Sequence, residues 1–206
     1  MQLIYIHGFN SDSQSAKGRM LREWAAQHRP ELRVQCPDLN QPPEQVMALL
    51  DQLIQQDPQT ALVGSSLGGF FATACVARHG VRAVLINPAV RPFERFLRYF
   101  QPFDPADQIG HTTAGGWQVR RSDLDQLRTL FEPTPVHPER ILVLLKQGDE
   151  VLDYRVAEAH YSQDAAQCPM IVEPDGDHFM HDMGDKIPLM MDFLFPDQPR
   201  SCVQSI

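Results

Sequence analysis

Short, near-continuous apolar runs alternate with longer amphipathic ones along this chain. Residues 3–6, 32–36, 61–64, 83–86, 141–145 and 170–172 read as six strands. Runs without polar alternation are expected where both faces of a parallel sheet are covered. Between them, residues 15–28 place Met20, Leu21 and Trp24 at helical spacing before Pro30. Residues 43–56 open with proline in the first turn and gather Val46, Leu49, Leu50 and Leu53 on one face. Residues 67–79, 153–166 and 186–195 complete the helical series. This alternation predicts an α/β fold, a sheet of about six parallel strands with helices on both faces and right-handed crossovers.

One interval breaks the rhythm. Residues 88–138 separate the fourth and fifth strands and hold seven of the 17 aromatics and seven of the 17 prolines. A connection this long on such a sheet is read as a helical insert, either a lid or pocket wall or a surface hairpin covering core. The 206 residues otherwise fit a single domain, 1–206, with the insert inside it.

The chemistry starts at Gly64-Ser65-Ser66-Leu67-Gly68. It joins a strand to a helix, the context of a nucleophile elbow, in which a strained turn lifts the serine above the carboxyl ends of the strands. Leu67 N–H would then face an oxyanion formed on a substrate. A serine hydroxyl needs a base and an orienting acid, which this architecture supplies from later strand ends in the order Ser, acid, His. Asp149 lies where the fifth strand gives way to loop, and His178 lies in the short polar loop after the sixth. Glu150 and Asp153 are rivals for the acid, although Asp153 suits a helix N-cap. His181 is the rival for the base, three residues further on. The first strand runs into His7-Gly8-Phe9-Asn10, where glycine allows close approach and Phe9 N–H is a second candidate oxyanion donor. His7 reads as a loop anchor.

Composition narrows the partners. Eighteen basic against 26 acidic residues give a formal charge of −8, with no cationic cluster for a phosphate backbone, which argues against nucleic acid. No apolar run approaches the 18 or so residues of a spanning helix, and the amino terminus has no cationic leader. Cys36, Cys75, Cys168 and Cys202 are widely spaced, without a zinc pattern, and suit free thiols in a cytoplasmic protein. No metal or cofactor is expected. Asp175, Asp177, Asp182 and Asp185 lack the spacing of a calcium loop.

The strings His7-Gly-Phe-Asn-Ser11, Gly64-Ser-Ser-Leu-Gly-Gly69, Asn87-Pro-Ala-Val-Arg-Pro-Phe-Glu94 and Gly148-Asp-Glu-Val-Leu-Asp-Tyr154 resemble the YqiA/YcfP family of small esterase-like proteins in the α/β-hydrolase superfamily. The resemblance runs from Leu3 to about Phe195 and implies a minimal α/β-hydrolase fold with carboxylesterase activity on short acyl chains. Carried over, it makes Ser66 the nucleophile, Asp149 the acid and His178 the base. Asp177 stands where the family pattern leads us to expect asparagine, and a carboxylate there would favour the imidazolium of the neighbouring base. The tail beyond Pro196, including Cys202, has no counterpart in the pattern.

The expected function is therefore a serine hydrolase acting on a small ester or thioester, without cofactor. Phe93, Phe96, Phe100 and Trp117 of the insert are the candidate acyl contacts. An α/β-hydrolase-fold protein that binds a small molecule without turnover is the competing reading, and acyl transfer with the same three residues is an enzymatic variant. Oligomeric state has no signature in the sequence.

Overall fold

The computed structural model describes residues 1–196, so Cys202 and the rest of the tail lie outside the described residues. Its centre is a six-stranded, wholly parallel sheet built from β1 (Gln2–Ile6), β2 (Arg33–Gln35), β3 (Thr60–Ser65), β4 (Arg82–Ile86), β5 (Ile141–Lys146) and β6 (Met170–Glu173). The spatial order is β6-β5-β4-β3-β1-β2. Each strand falls where an apolar run predicts it. The edge strand β2 is shorter than its run and incompletely covered, because it has a neighbour on one side only.

Side chains alternate between two cores, as the period of a strand requires. Ile4, Ile6, Leu62, Leu85, Val143 and Leu145 face α2 (Pro43–Gln55), α3 (Leu67–His79) and α6 (Tyr154–Tyr161). Leu3, Tyr5, Val63, Val84, Ile86 and Leu144 face α1 (Ala16–His28) and α7 (Met183–Leu194). Helix α6 is shorter than residues 153–166 suggest. Asp153 caps its N-terminus by accepting from Arg155 N–H, and the chain beyond Tyr161 turns into a small hairpin, Ser162–Gln163 with Ala166–Gln167.

The insert contains α4 (Pro92–Phe96), α5 (Arg121–Thr129) and, between them, an antiparallel hairpin of Ile109–Thr112 with Gln118–Arg120. The hairpin is an addition to the helical insert expected from sequence. Phe93, Phe96, Trp117, Val119, Leu124 and Leu127 are buried in the same core as α2 and α3. The aromatic enrichment of this interval thus completes a core layer.

One topological feature positions the site. The chain leaves β1 toward β2, returns to β3 on the other side of β1, and then proceeds outward through β4 and β5. Crossovers therefore leave β1 and β3 in opposite directions, and a crevice opens above their carboxyl ends, where ligands settle in open α/β sheets.

Candidate active site

Ser66 occupies the turn between β3 and α3 with φ of 55° and ψ of −119°, a strained conformation for a residue bearing a side chain. The flanking glycines make the turn possible. A Cβ on Gly68 would drive into the Ile6 carbonyl oxygen, and one on Gly64 would meet Ala72 Cβ at 2.9 Å and overlap the Gly68 carbonyl. The helix and both strands touch backbone to backbone here. Ser66 N–H donates to the Ile86 carbonyl at 3.0 Å, and the Ser66 carbonyl accepts from Gly69 and Ala89 at 2.9 and 3.0 Å.

On the β1 side, a Cβ on Gly8 would lie 3.1 Å from Ser66 Cβ, so the loop passes directly against the serine. His7 anchors that loop. Its Nε2 accepts from Leu39 N–H at 3.0 Å, which leaves Nδ1–H to donate to the Gly8 carbonyl at 2.9 Å. Phe9 packs against Phe96 with ring centroids 4.7 Å apart and planes tilted by 43°, and meets Trp117 edge-on at 5.9 Å. Asn40 donates to the Ser11 carbonyl and accepts from Thr113 Oγ1, tying the loop to the insert. Among the described residues, no backbone or side-chain acceptor takes the N–H of Phe9 or of Leu67.

Asp149 and His178 meet. His178 Nδ1 lies 2.7 Å from Asp149 Oδ2, and the carboxylate is 2% exposed. The other oxygen, Oδ1, accepts from Val151 and Leu152 N–H, each at 2.8 Å. The carboxylate is thereby held in one orientation, and it fixes the proton of a neutral imidazole on Nδ1, leaving Nε2 with its lone pair. The two loops run in backbone contact, since a Cβ on Gly148 would overlap the Gly176 carbonyl. Of the rivals, Glu150 accepts from His178 N–H at 3.0 Å and Asp153 caps α6. Among the described residues no hydrogen bond joins Ser66 Oγ to His178.

Asp177 pairs with the other histidine. Its Oδ2 lies 2.5 Å from His181 Nδ1; burial works against the charge, but the His181 bond and charge hold the carboxyl below its usual range. The neighbouring Lys17 ammonium sits 3.8 Å above the Phe179 ring. Burial pushes Lys17 down to about 8, against the pull of Asp177.

Two residues with no role in the sequence reading organise this rim. Asn87, 2% exposed with φ of 41°, directly follows β4. Its Nδ2 donates to the Asp177 and His178 carbonyls, and its Oδ1 accepts from Lys146 N–H at 2.9 Å. Lys146 ends β5 and turns its ammonium to Asp182 at 2.6 Å and Glu173 at 2.8 Å, with Lys186 bridging the same two carboxylates. Its stem underlies Gly176 of the histidine loop. The available signals were an asparagine before proline at a strand end and a lysine closing a continuous apolar run.

The four candidate acyl contacts are largely internal. Phe93, Phe96 and Trp117 are buried, and Phe100 is half-buried against the same core. Trp117, Gly8, Phe9 and Leu67 enclose a cavity of about 10 Å³, at the limit for one water.

Among the described residues, no helix is long and apolar enough to cross a membrane. A family model described as "Uncharacterised protein family (UPF0227)" matches residues 2–195. A UPF0227 protein of Yersinia pseudotuberculosis (serotype O:1b, strain IP 31758) is 26% identical over 156 residues, covering 73% of this chain and 77% of that one. Among solved structures, alpha/beta hydrolase domain-containing protein 10 from mouse superposes with a TM-score of 0.69 at 15% identity, covering 94% of this chain and 90% of its own. Acetyl xylan esterase 1 from Thermoanaerobacterium sp. JW/SL YS485 gives 0.57 at 16% identity, covering 94% and 74%. The fold is that of the α/β hydrolases, and the resemblance to YqiA/YcfP proteins holds at the level of family: this chain belongs to UPF0227.

Proposed function

We propose that this protein is a serine carboxylesterase that cleaves small, short-acyl esters or thioesters through an acyl-enzyme on Ser66. The observation that carries the reading is the Asp149–His178 hydrogen bond on the same strand-end rim as a serine held at positive φ. In this reading His178 Nε2 takes the Ser66 proton as Oγ attacks the acyl carbon. Asp149 holds the imidazole tautomer and stabilises the imidazolium. The tetrahedral oxyanion is stabilised by the unpartnered N–H groups of Phe9 and Leu67, a contribution of about 3–4 kcal/mol per donor. His178 then protonates the leaving alkoxide or thiolate, and water deacylates the enzyme by the same route. The reading requires the Ser66–His178 contact to form in the substrate complex, as catalytic hydrogen bonds that are long or absent in apo enzymes commonly do.

A fluorophosphonate probe with intact-mass detection tests this. One adduct on the native protein, lost in Ser66→Ala, supports the hydrolase. Absence of labelling by the folded protein, together with no turnover of p-nitrophenyl acetate, refutes it and favours a protein that only binds. Product analysis with added alcohols and amines separates hydrolysis from acyl transfer.

A further inference from the structure

A pocket of about 320 Å³ opens between the segment after β4 and the start of α6. One wall is Pro88, Ala89 and Val90, all buried, and the other is Leu152, Val156 and Ala157. Each wall is one hydrogen bond from the proposed machinery. Ala89 N–H donates to the Ser66 carbonyl at 3.0 Å, and Leu152 N–H donates to Asp149 Oδ1 at 2.8 Å. We infer that this pocket, walled on one side by the first residues of the insert and not by its buried aromatic side chains, receives the acyl chain, an uncharged short aliphatic group whose length is limited by Leu152, Val156 and Ala157. The inference rests on the hydrolase reading and adds to it the place and chemistry of the acyl site.

Direction comes from the tetrahedral centre. Its oxyanion must face the Phe9 and Leu67 amides, and its leaving oxygen must face His178. The histidine loop runs into α7, on one face of the sheet, whereas Val90 and Ala157 belong to the core on the opposite face. The substituent left to point into the pocket is the acyl chain. On the Phe9 and Leu67 side, the cavity of about 10 Å³ holds no such group.

The chemistry of the ligand follows from charge and size. Four charged residues border the pocket, and each already has an intramolecular contact. Arg91 faces Glu94 at 3.5 Å, Arg95 donates to the Val151 carbonyl, and Asp153 is bound by Arg155. Of the two cations on its wall, Arg91 faces a carboxylate and Arg95 is held to a main-chain carbonyl; the uncharged acyl chain matches the apolar faces of Pro88, Ala89, Val90, Leu152, Val156 and Ala157. The volume lies at the low end of the range of about 300–1,000 Å³ common for ligand pockets, which suits a chain of few carbons.

The test is the ratio of kcat/KM for p-nitrophenyl hexanoate to that for p-nitrophenyl acetate, measured on the full chain. Ala157→Leu fills the pocket and lowers the ratio about tenfold; Leu152→Ala widens it and raises the ratio. Val156 is 54% exposed, so Val156→Trp narrows the rim without disturbing the core and lowers the ratio even if Ala157→Leu does not fold. Both esters changing in proportion in every folded variant would overturn the acyl-site assignment while leaving an active, probe-labelled hydrolase intact. A wild-type protein that neither labels nor turns over any ester removes the hydrolase reading and this assignment with it.

Discussion

The carboxamide of Asn87 holds the main chain of His178, its Nδ2 donating to the carbonyl oxygen at 3.2 Å and to that of Asp177 at 3.1 Å. Its other end accepts from Lys146 N–H, so one buried side chain joins the ends of β4 and β5 to the histidine loop. Asn87→Ala removes the partner of the buried Lys146 N–H and of the part-buried His178 carbonyl, while the Asp177 carbonyl keeps Met180 N–H, and is expected to cost about 1–3 kcal/mol in urea unfolding. In the fraction that remains folded, kcat for p-nitrophenyl acetate should fall about 10–100-fold with little change in KM, because displacing a base by a fraction of an ångström affects the transition state more than binding. A kcat equal to wild type would show that the clamp serves stability alone.

Asp149→Asn separates orientation from packing. The carboxamide introduced by this substitution can still accept from Val151 and Leu152, but its amide hydrogens would confront Nδ1 of His178 and force the proton onto Nε2. The fold should persist, while kcat/KM falls about 10³–10⁴-fold. Fluorophosphonate labelling, which also needs the base, should slow in parallel.

The glycines around Ser66 should divide into structural and catalytic positions. A methyl on Gly68 overlaps the Ile6 backbone, which cannot move without breaking the sheet, so Gly68→Ala should fail to accumulate as folded protein. A methyl on Gly8 would lie 3.1 Å from Ser66 Cβ, 3.2 Å from the Ser65 carbonyl and 3.7 Å from Ser66 Oγ, distances that a shift of a few tenths of an ångström relieves. Gly8→Ala should fold, with circular dichroism like wild type, and acylate more slowly.

The four-membered ion network under the histidine loop should appear in the acid stability curve. The Lys146 and Lys186 hydrogen bonds hold Glu173 below the usual carboxylate range, and they do the same for Asp182 against the opposing effect of its burial. A carboxylate depressed on folding contributes stability that is complete above its unfolded pKa of about 4 and is lost as pH falls through the lower folded value. Lys146→Met should cost about 1–3 kcal/mol at pH 7 and flatten the stability curve between about pH 5 and pH 2. Urea titrations at several pH values measure both effects.

Much of this was legible from sequence. Strands β1, β3, β4 and β5 are covered on both faces, so they show as uninterrupted apolar runs, and the elbow declares itself through Gly64 and Gly68 because no side chain fits there. Asp149 and His178 follow from their places at strand ends. The hairpin in the insert was not legible, since Ile109–Thr112 and Gln118–Arg120 are short, partly polar and defined only by pairing with each other. Asn87 and Lys146 escaped because their partners lie 90 and 36 residues away. The insert aromatics left a ligand wall and a cover for the core equally open, because aromatic side chains serve both, and Phe93, Phe96 and Trp117 are buried in the core.

The two devices beneath the proposed base differ in kind. Acid weakens the lysine–carboxylate cluster and added salt screens its partly exposed members, whereas a neutral amide neither titrates nor attracts counterions. With Asn87 gripping the loop from within, the imidazole's station should survive mild acidification and high ionic strength even as global resistance to denaturant declines. The acid limb of the activity profile would then record protonation of the reacting groups rather than loss of their alignment.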